Sequence, residues 1–304
     1  MAITAQMVKE LREMTGAGMM DCKSALTETD GDMKAAAELL REKGIASAAK
    51  KAGRVAAEGL VKIAFSEDGS KGAIVEVNSE TDYVAKNQEF VDFVDALAAK
   101  ALTDGEKDME TFLGLDFLDG ETVQSALQNK VAKIGENLNL RRFQMLAAPG
   151  CKYVGYLHGN GRIGVLVGFL TNASLEGISV LGKDLAMQVA SMNPMFLDES
   201  QVDPDYIANE KKVMAQQVLN EGKKPEMVDK IVEGKIKKEL KEICLLDQKF
   251  VKDSDITVRQ YVDQVAKELG EDIKVVSMVR YEVGEGIEKQ EECFLEEVMK
   301  QMNK

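Results

Sequence analysis

Val131-Ala132-Lys133-Ile134-Gly135-Glu136-Asn137-Leu138 is echoed, one residue longer, by Val265-Ala266-Lys267-Glu268-Leu269-Gly270-Glu271-Asp272-Ile273. A strand-like run follows each copy, Asn139 to Met145 and Lys274 to Tyr281. The chain upstream repeats as well. Leu60-Val61-Lys62-Ile63-Ala64-Phe65 and Gly72-Ala73-Ile74-Val75-Glu76-Val77 flank the turn-rich Glu67-Asp68-Gly69-Ser70, a β-hairpin pattern. A helix is expected next, from about Val84 to Leu102, with Phe90, Val94, Leu97 and Ala101 on its buried side. After Pro149, Tyr153–Leu157 and Ile163–Val167 flank Asn160-Gly161, a pair favoured in tight hairpins because both residues tolerate φ > 0. A helix carrying Leu181, Leu185, Met187 and Val189 comes next. Two matches in the same order predict an α+β fold of two halves related by duplication, each a sheet covered by helices.

Outside the halves, the first 55 residues read as three short helices. Thr4 caps the first, whose apolar side is Met7, Val8, Leu11 and Met14, with Gly16 ending it. The second begins near Met20-Asp21, carries Ala25 and Leu26, and closes at Gly31. The third runs from Asp32 through Met33, Ala37 and Leu40 to Gly44, followed by a helical linker over 45–57. In the second half, Tyr206–Glu221 and Met227–Ile243 are helical by period and are separated by Gly222-Lys223-Lys224-Pro225, which predicts an αα-hairpin with arms of roughly 24 Å. Nine Lys against eight Asp+Glu between 205 and 243 leave this insertion nearly neutral and suited to a protein contact. Gly284-Glu285-Gly286 then forms a hinge before a C-terminal amphipathic helix with Phe294, Leu295, Val298 and Met302 on one side.

The chain has 304 residues, about two domains' worth, and a net charge of −13 from 39 basic and 52 acidic side chains. So acidic a surface repels phosphate backbones and anionic lipid, which argues against direct nucleic-acid and membrane binding. No run approaches the roughly 18 apolar residues of a membrane span, and the first residues lack the order of a signal peptide. Cys22, Cys151, Cys244 and Cys293 lie far apart with no CxxC, as expected of reduced thiols in a cytoplasmic protein without a metal site.

No GxxxxGK[ST], GxSxG, HExxH or EF-hand loop occurs, so no cofactor and no covalent chemistry are expected. His158 and Cys151 leave open a Cys/His nucleophile pair; the alternative is a hairpin-end His bonding locally. Two loops stand out. In Thr15–Lys23, Met19 and Met20 stand beside a glycine turn, where spacing favours a core role and pairing favours an adaptable surface. In Thr81–Asn87, Thr81 reads as an N-cap with Asp82 favourable at the positive helix end, while an aromatic beside a carboxylate on a connecting loop suits an interface anchor.

Thr15–Lys23 (TGAGMMDCK), Thr81–Asn87 (TDYVAKN), Lys133–Arg142 (KIGENLNLRR), His158–Gly164 (HGNGRIG), Val232–Lys235 (VEGK) and Glu282–Lys289 (EVGEGIEK) resemble, in order, the motifs of bacterial translation elongation factor Ts over essentially the whole chain. The resemblance implies a ubiquitin-associated-like three-helix domain at 1–55 and core subdomains at 56–147 and at 148–204 with 246–284. It further implies a helical hairpin at 205–245 and a C-terminal module at 285–304. It implies guanine-nucleotide exchange on elongation factor Tu, a dimer of such heterodimers being one possible assembly; an interaction scaffold without exchange activity is the competing reading. By the same resemblance Asp82 and Tyr83 insert between two helices of the GTPase and displace Mg²⁺, with Thr81 and Val84 shaping the loop. Met19, Met20, Lys23, Ile134, Gly135, His158 and the C-terminal helix supply further contacts. The commoner family residue at position 83 is Phe; the Tyr hydroxyl here needs a partner or water when buried.

Overall fold

In the computed structural model, which describes residues 3–288, the Thr4 hydroxyl accepts from Met7 N and starts α1 (Ala5–Thr15). This helix buries Val8 and Leu11 and ends at Gly16. Met14, expected on the buried side, is exposed. α2 (Met19–Glu28) starts at Gly18. α3 (Met33–Lys51) is capped by Asp32, whose side chain accepts from Lys34 N and Ala35 N. The three close on Leu11, Cys22, Ala25, Leu26 and Ala36. α3 does not stop at Gly44 as its sequence suggested. That glycine is buried mid-helix, where a Cβ would stand 3.3 Å from the Ala132 methyl, so it marks close helix packing and not a helix end.

β1 (Glu58–Phe65) and β2 (Gly72–Ser79) form the first hairpin. The single helix expected from Val84 is two: α4 (Asp82–Ala85) and α5 (Gln88–Asp104). The break has a local cause. Asn87 accepts from Glu89 N at 2.9 Å, a new N-cap in the middle of the periodic run. α6 (Met109–Leu113) follows, its Phe112 ring 4.2 Å from Phe143, then α7 (Val123–Ile134) and β3 (Asn139–Leu146).

The second half runs β4 (Cys151–His158), β5 (Ile163–Thr171), α8 (Leu175–Met192), α9 (Pro204–Asn220), α10 (Pro225–Ile243), β6 (Lys249–Phe250), β7 (Asp253–Thr257), α11 (Val258–Leu269) and β8 (Ile273–Glu282). The larger sheets have orders β1-β2-β3 and β4-β5-β8, so each half adds a late strand beside the second strand of its hairpin. The matching segments occupy matching places. Gly135 (φ 87) and Gly270 (φ 67) end α7 and α11 in the left-handed conformation, which releases the chain into β3 and β8.

β4 pairs antiparallel with β5 from Cys151↔Leu170 to His158↔Ile163. The connecting turn, 159–162, is wider than a two-residue Asn-Gly turn, because Arg162 N closes it onto His158 O at 3.0 Å. α8 packs on both strands, burying Leu181, Leu185 and Val189 with Val165, Val167 and Phe169. α9 and α10, about 26 and 28 Å long at 1.5 Å per residue, share a core of Val218, Val228, Val232, Ile236, Leu240 and Cys244.

The described chain forms two packed units. One takes in the chain up to Lys62, Val75–Gln144 and the chain from Glu282; the other takes in Ile63–Ile74 and Met145–Tyr281. The expected C-terminal helix, with Phe294, Leu295, Val298 and Met302, lies outside the described residues. Among those described, no helix is long and apolar enough to cross a membrane.

Candidate functional site

Thr81 leaves β2 in an extended conformation, and its Oγ1 accepts from Val84 N at 3.3 Å, capping the single turn of α4. Val84 and Ala85 turn inward and are buried. Asp82 and Tyr83 turn outward, and Tyr83 is 78% exposed, the most exposed of the large hydrophobic side chains among the described residues. Lys86 Nζ lies 2.6 Å from Asp82 Oδ2 and holds the Asp82 carboxyl below the ordinary carboxylate range. Both partners are solvated, so a competing cation or donor can replace this contact at little cost. The arrangement presents a ring and an ionised carboxylate side by side on a buried base.

The base is fixed from a distance. Glu136, the residue after Gly135, accepts from Glu80 N (3.1 Å) and Thr81 N (3.0 Å) through Oε2, and its Oε1 accepts from Thr81 Oγ1 at 2.6 Å. In return Glu80 Oε1 accepts from Asn137 N at 2.6 Å, and Asn137 Nδ2 donates to Arg54 O at 2.8 Å. Ile134 and Gly135 therefore adjoin the Thr81–Tyr83 loop, which the sequence alone did not show. Glu80, Glu136 and Asn137 were not picked out from the sequence. Glu136 and Asn137 fall inside both the duplicated segment and the Lys133–Arg142 motif, but neither pattern singles them out.

Met19 and Met20 are 60% and 73% exposed, which overturns the core reading of this pair. Lys23, one turn on, is exposed too. The glycine turn before them approaches α7: a Cβ on Gly16 would stand 3.1 Å from Lys133 Cε. Lys133 Nζ in turn lies 2.8 Å from Glu89 in the first turn of α5. Burial works to raise the Glu89 carboxyl, and Lys130 and Lys133 more than offset it, leaving it below its ordinary range. The C-terminal end of α7 thus joins three segments that are far apart in sequence.

His158 belongs to the other unit, exposed at the end of β4, with its Nδ1 3.0 Å from Tyr156 OH. Buried Cys151 starts the same strand, seven residues away, or about 23 Å along an extended chain. His158 and Cys151 therefore do not form a nucleophile pair, and the local hydrogen bond to Tyr156 is the correct reading. Among the described residues no cluster of His, Cys, Asp or Glu is arranged to hold a metal.

A family model described as elongation factor TS matches residues 80–285, beginning at the latched Glu80. Elongation factor Ts of Clostridioides difficile (strain 630) is 57% identical over 300 residues, covering 99% of each chain. That of Clostridium novyi (strain NT) is 52% identical over 303 residues, again 99% of each, and one from Clostridium botulinum (strain Eklund 17B / Type B) is 52% identical over 302. With a family match over most of its length and such relatives end to end, the chain belongs to the elongation factor Ts family.

Proposed function

We propose that the chain is the guanine-nucleotide exchange factor of elongation factor Tu and that the Thr81–Val84 loop is its working part. The observation that carries this reading is the exposed Asp82-Tyr83 pair on an anchored one-turn helix. A P-loop GTPase holds its nucleotide through Mg²⁺ and the backbone of the phosphate loop. An exchange factor needs only to prefer the state in which that site is disturbed; linkage then requires bound nucleotide to weaken the exchange factor in return. No covalent bond is made or broken.

In this reading Tyr83 enters a gap between two helices of the GTPase. Burial of a side chain of its size contributes about 2 kcal/mol, available only when the gap is open. Asp82, ionised at neutral pH, exchanges Lys86 for a donor on the partner and displaces Mg²⁺. Thr81 and Val84 set the angle of entry. Met19, Met20, Lys23, Ile134, Gly135 and His158 extend the contact, with Met19 and Met20 serving as an adaptable apolar patch.

We also propose the finer organisation: a ubiquitin-associated-like module at 1–55, subdomains at 56–147 and at 148–204 with 246–284, the hairpin at 205–245 and a C-terminal module at 285–304. The protein works in the cytoplasm without contacting nucleic acid directly, and the hairpin could join two complexes into a dimer of heterodimers. Stopped-flow release of a fluorescent GDP from elongation factor Tu tests the exchange role. A chain that binds the GTPase without speeding release is a scaffold instead.

A further inference from the structure

Four residues make a poor helix. The first turn of any helix is unfavourable to nucleate, so α4 cannot hold its own geometry. Nor do its outward side chains help, since the partner of Asp82 is an exposed lysine and Tyr83 stands in solvent. The order must come from the buried Val84 and Ala85 on one side and from the N-cap on the other. At the N-cap the connection is made by Glu136, 55 residues from Thr81, through bonds to both Thr81 N and Thr81 Oγ1 and a third to Glu80 N. Glu80 returns the contact by accepting from Asn137 N, so two neighbouring turns are cross-tied by two carboxylates.

We infer that Glu136 is a positioning residue for nucleotide exchange: it latches Thr81 so that Asp82 and Tyr83 meet the GTPase already in their inserting geometry. This rests on the exchange reading above. A loop ordered before encounter does not lose its conformational freedom during insertion, so the latch speeds release from the docked complex more than it tightens docking.

The geometry also orders the substitutions. In Glu136→Gln the amide oxygen can accept from both backbone N–H groups, and the amide nitrogen can donate to Thr81 Oγ1, which keeps accepting from Val84 N, takes the new bond on its second lone pair and turns its own hydrogen to water; all three contacts survive in neutral form. Glu136→Asp keeps the charge on a side chain one methylene shorter, which cannot span the contacts at 2.6–3.1 Å. Glu136→Ala removes the latch. A residue acting by its charge on the partner would give the opposite order, with Asp retained and Gln impaired.

The test is stopped-flow release of fluorescent GDP from elongation factor Tu, titrated with the full-length chain and each variant, to separate the maximal rate from the half-saturating concentration. Melting temperatures confirm that each variant is folded; if Glu136→Ala is not, the Gln and Asp variants carry the comparison. The expected result is a maximal rate about tenfold lower in the Ala and Asp variants, an energy of about 1.4 kcal/mol, with Gln within about threefold of the parent and half-saturation little moved. Retained activity in Asp with loss in Gln overturns the inference. So does a parent-like rate in Ala, or a loss confined to half-saturation. Asp82→Ala/Tyr83→Ala in the same assay separates the two levels. If it is slow while Glu136→Ala is not, only the latch fails; if it releases GDP at the parent rate, the insertion reading itself fails.

Discussion

Glu76 is fully buried on β2 and gathers four donors: Arg141 Nη1 at 3.0 Å, Gly284 N at 2.9 Å and Asn78 Nδ2 at 3.2 Å on Oε1, and Arg142 Nε at 2.6 Å on Oε2. Arg142 also reaches Glu285 Oε2 at 3.0 Å and Glu282 O at 3.2 Å. The carboxylate thereby ties the turn at 282–285 to β2 and β3, where Gly284 at φ 71 passes too close to Ala57 O to carry a Cβ. Glu76→Gln keeps the volume but must point an NH₂ group either at Arg142 Nε or at the three donors on the other oxygen. Removing one member of a buried ion pair costs about 3–5 kcal/mol. The two arginine side chains keep 25% and 30% exposure and can turn partly to water, which brings the expected loss to about 3 kcal/mol. With a urea dependence of about 3 kcal/mol/M, the unfolding midpoint should fall by about 1 M. Hydrogen exchange should show the Gly284 amide losing protection first. A midpoint within about 0.3 M of the parent, with Gly284 still protected, would refute the assignment of this carboxylate as the tie.

Asn87→Ala removes the cap that separates α5 from α4 and should cost about 1 kcal/mol in urea unfolding; no change would mean that the break between the helices is set by packing. Burial, reinforced by Asp247, Glu199 and Asp198, pushes the Cys244 thiol up to about 11. The fold then keeps a proton that the unfolded chain, titrating near 8.5, has lost, so stability should fall as pH rises from about 8.5 to 11, and Cys244→Ala should lessen that fall between pH 7.5 and 10. Met19→Ser with Met20→Ser should leave the melting temperature unchanged, because both side chains are exposed, while raising the half-saturating concentration for exchange severalfold. A melting temperature several degrees lower would return the pair to a structural role.

The parts of the fold that could be read from sequence were those written in short-range periodicity. The hairpins, the neutral helical pair and the glycine-ended helix before each late strand sit where the alternation and the repeated segment placed them. What escaped was decided by single polar atoms or by contact between distant residues. The Asn87 amide splits a run whose apolar period continues across it. Gly44 resembles a helix stop, and its contact with Ala132 could not be anticipated from spacing. Thr81 as an N-cap was legible because the motif is local. The carboxylate that holds it is far away in sequence, and no pattern in either segment announces the pairing. Nor could the exposure of Met19 and Met20 be read, since a methionine at helical spacing looks the same facing a core or water.

In the proposed exchange function, Asp82 and Tyr83 drive nucleotide release and do not merely add to binding. Release of fluorescent GDP from elongation factor Tu at saturating Asp82→Ala/Tyr83→Ala should be slower than with the parent by about tenfold or more, about 1.4 kcal/mol in the barrier, while a binding titration shows that the complex still forms. A parent-like maximal rate with weakened binding would contradict it.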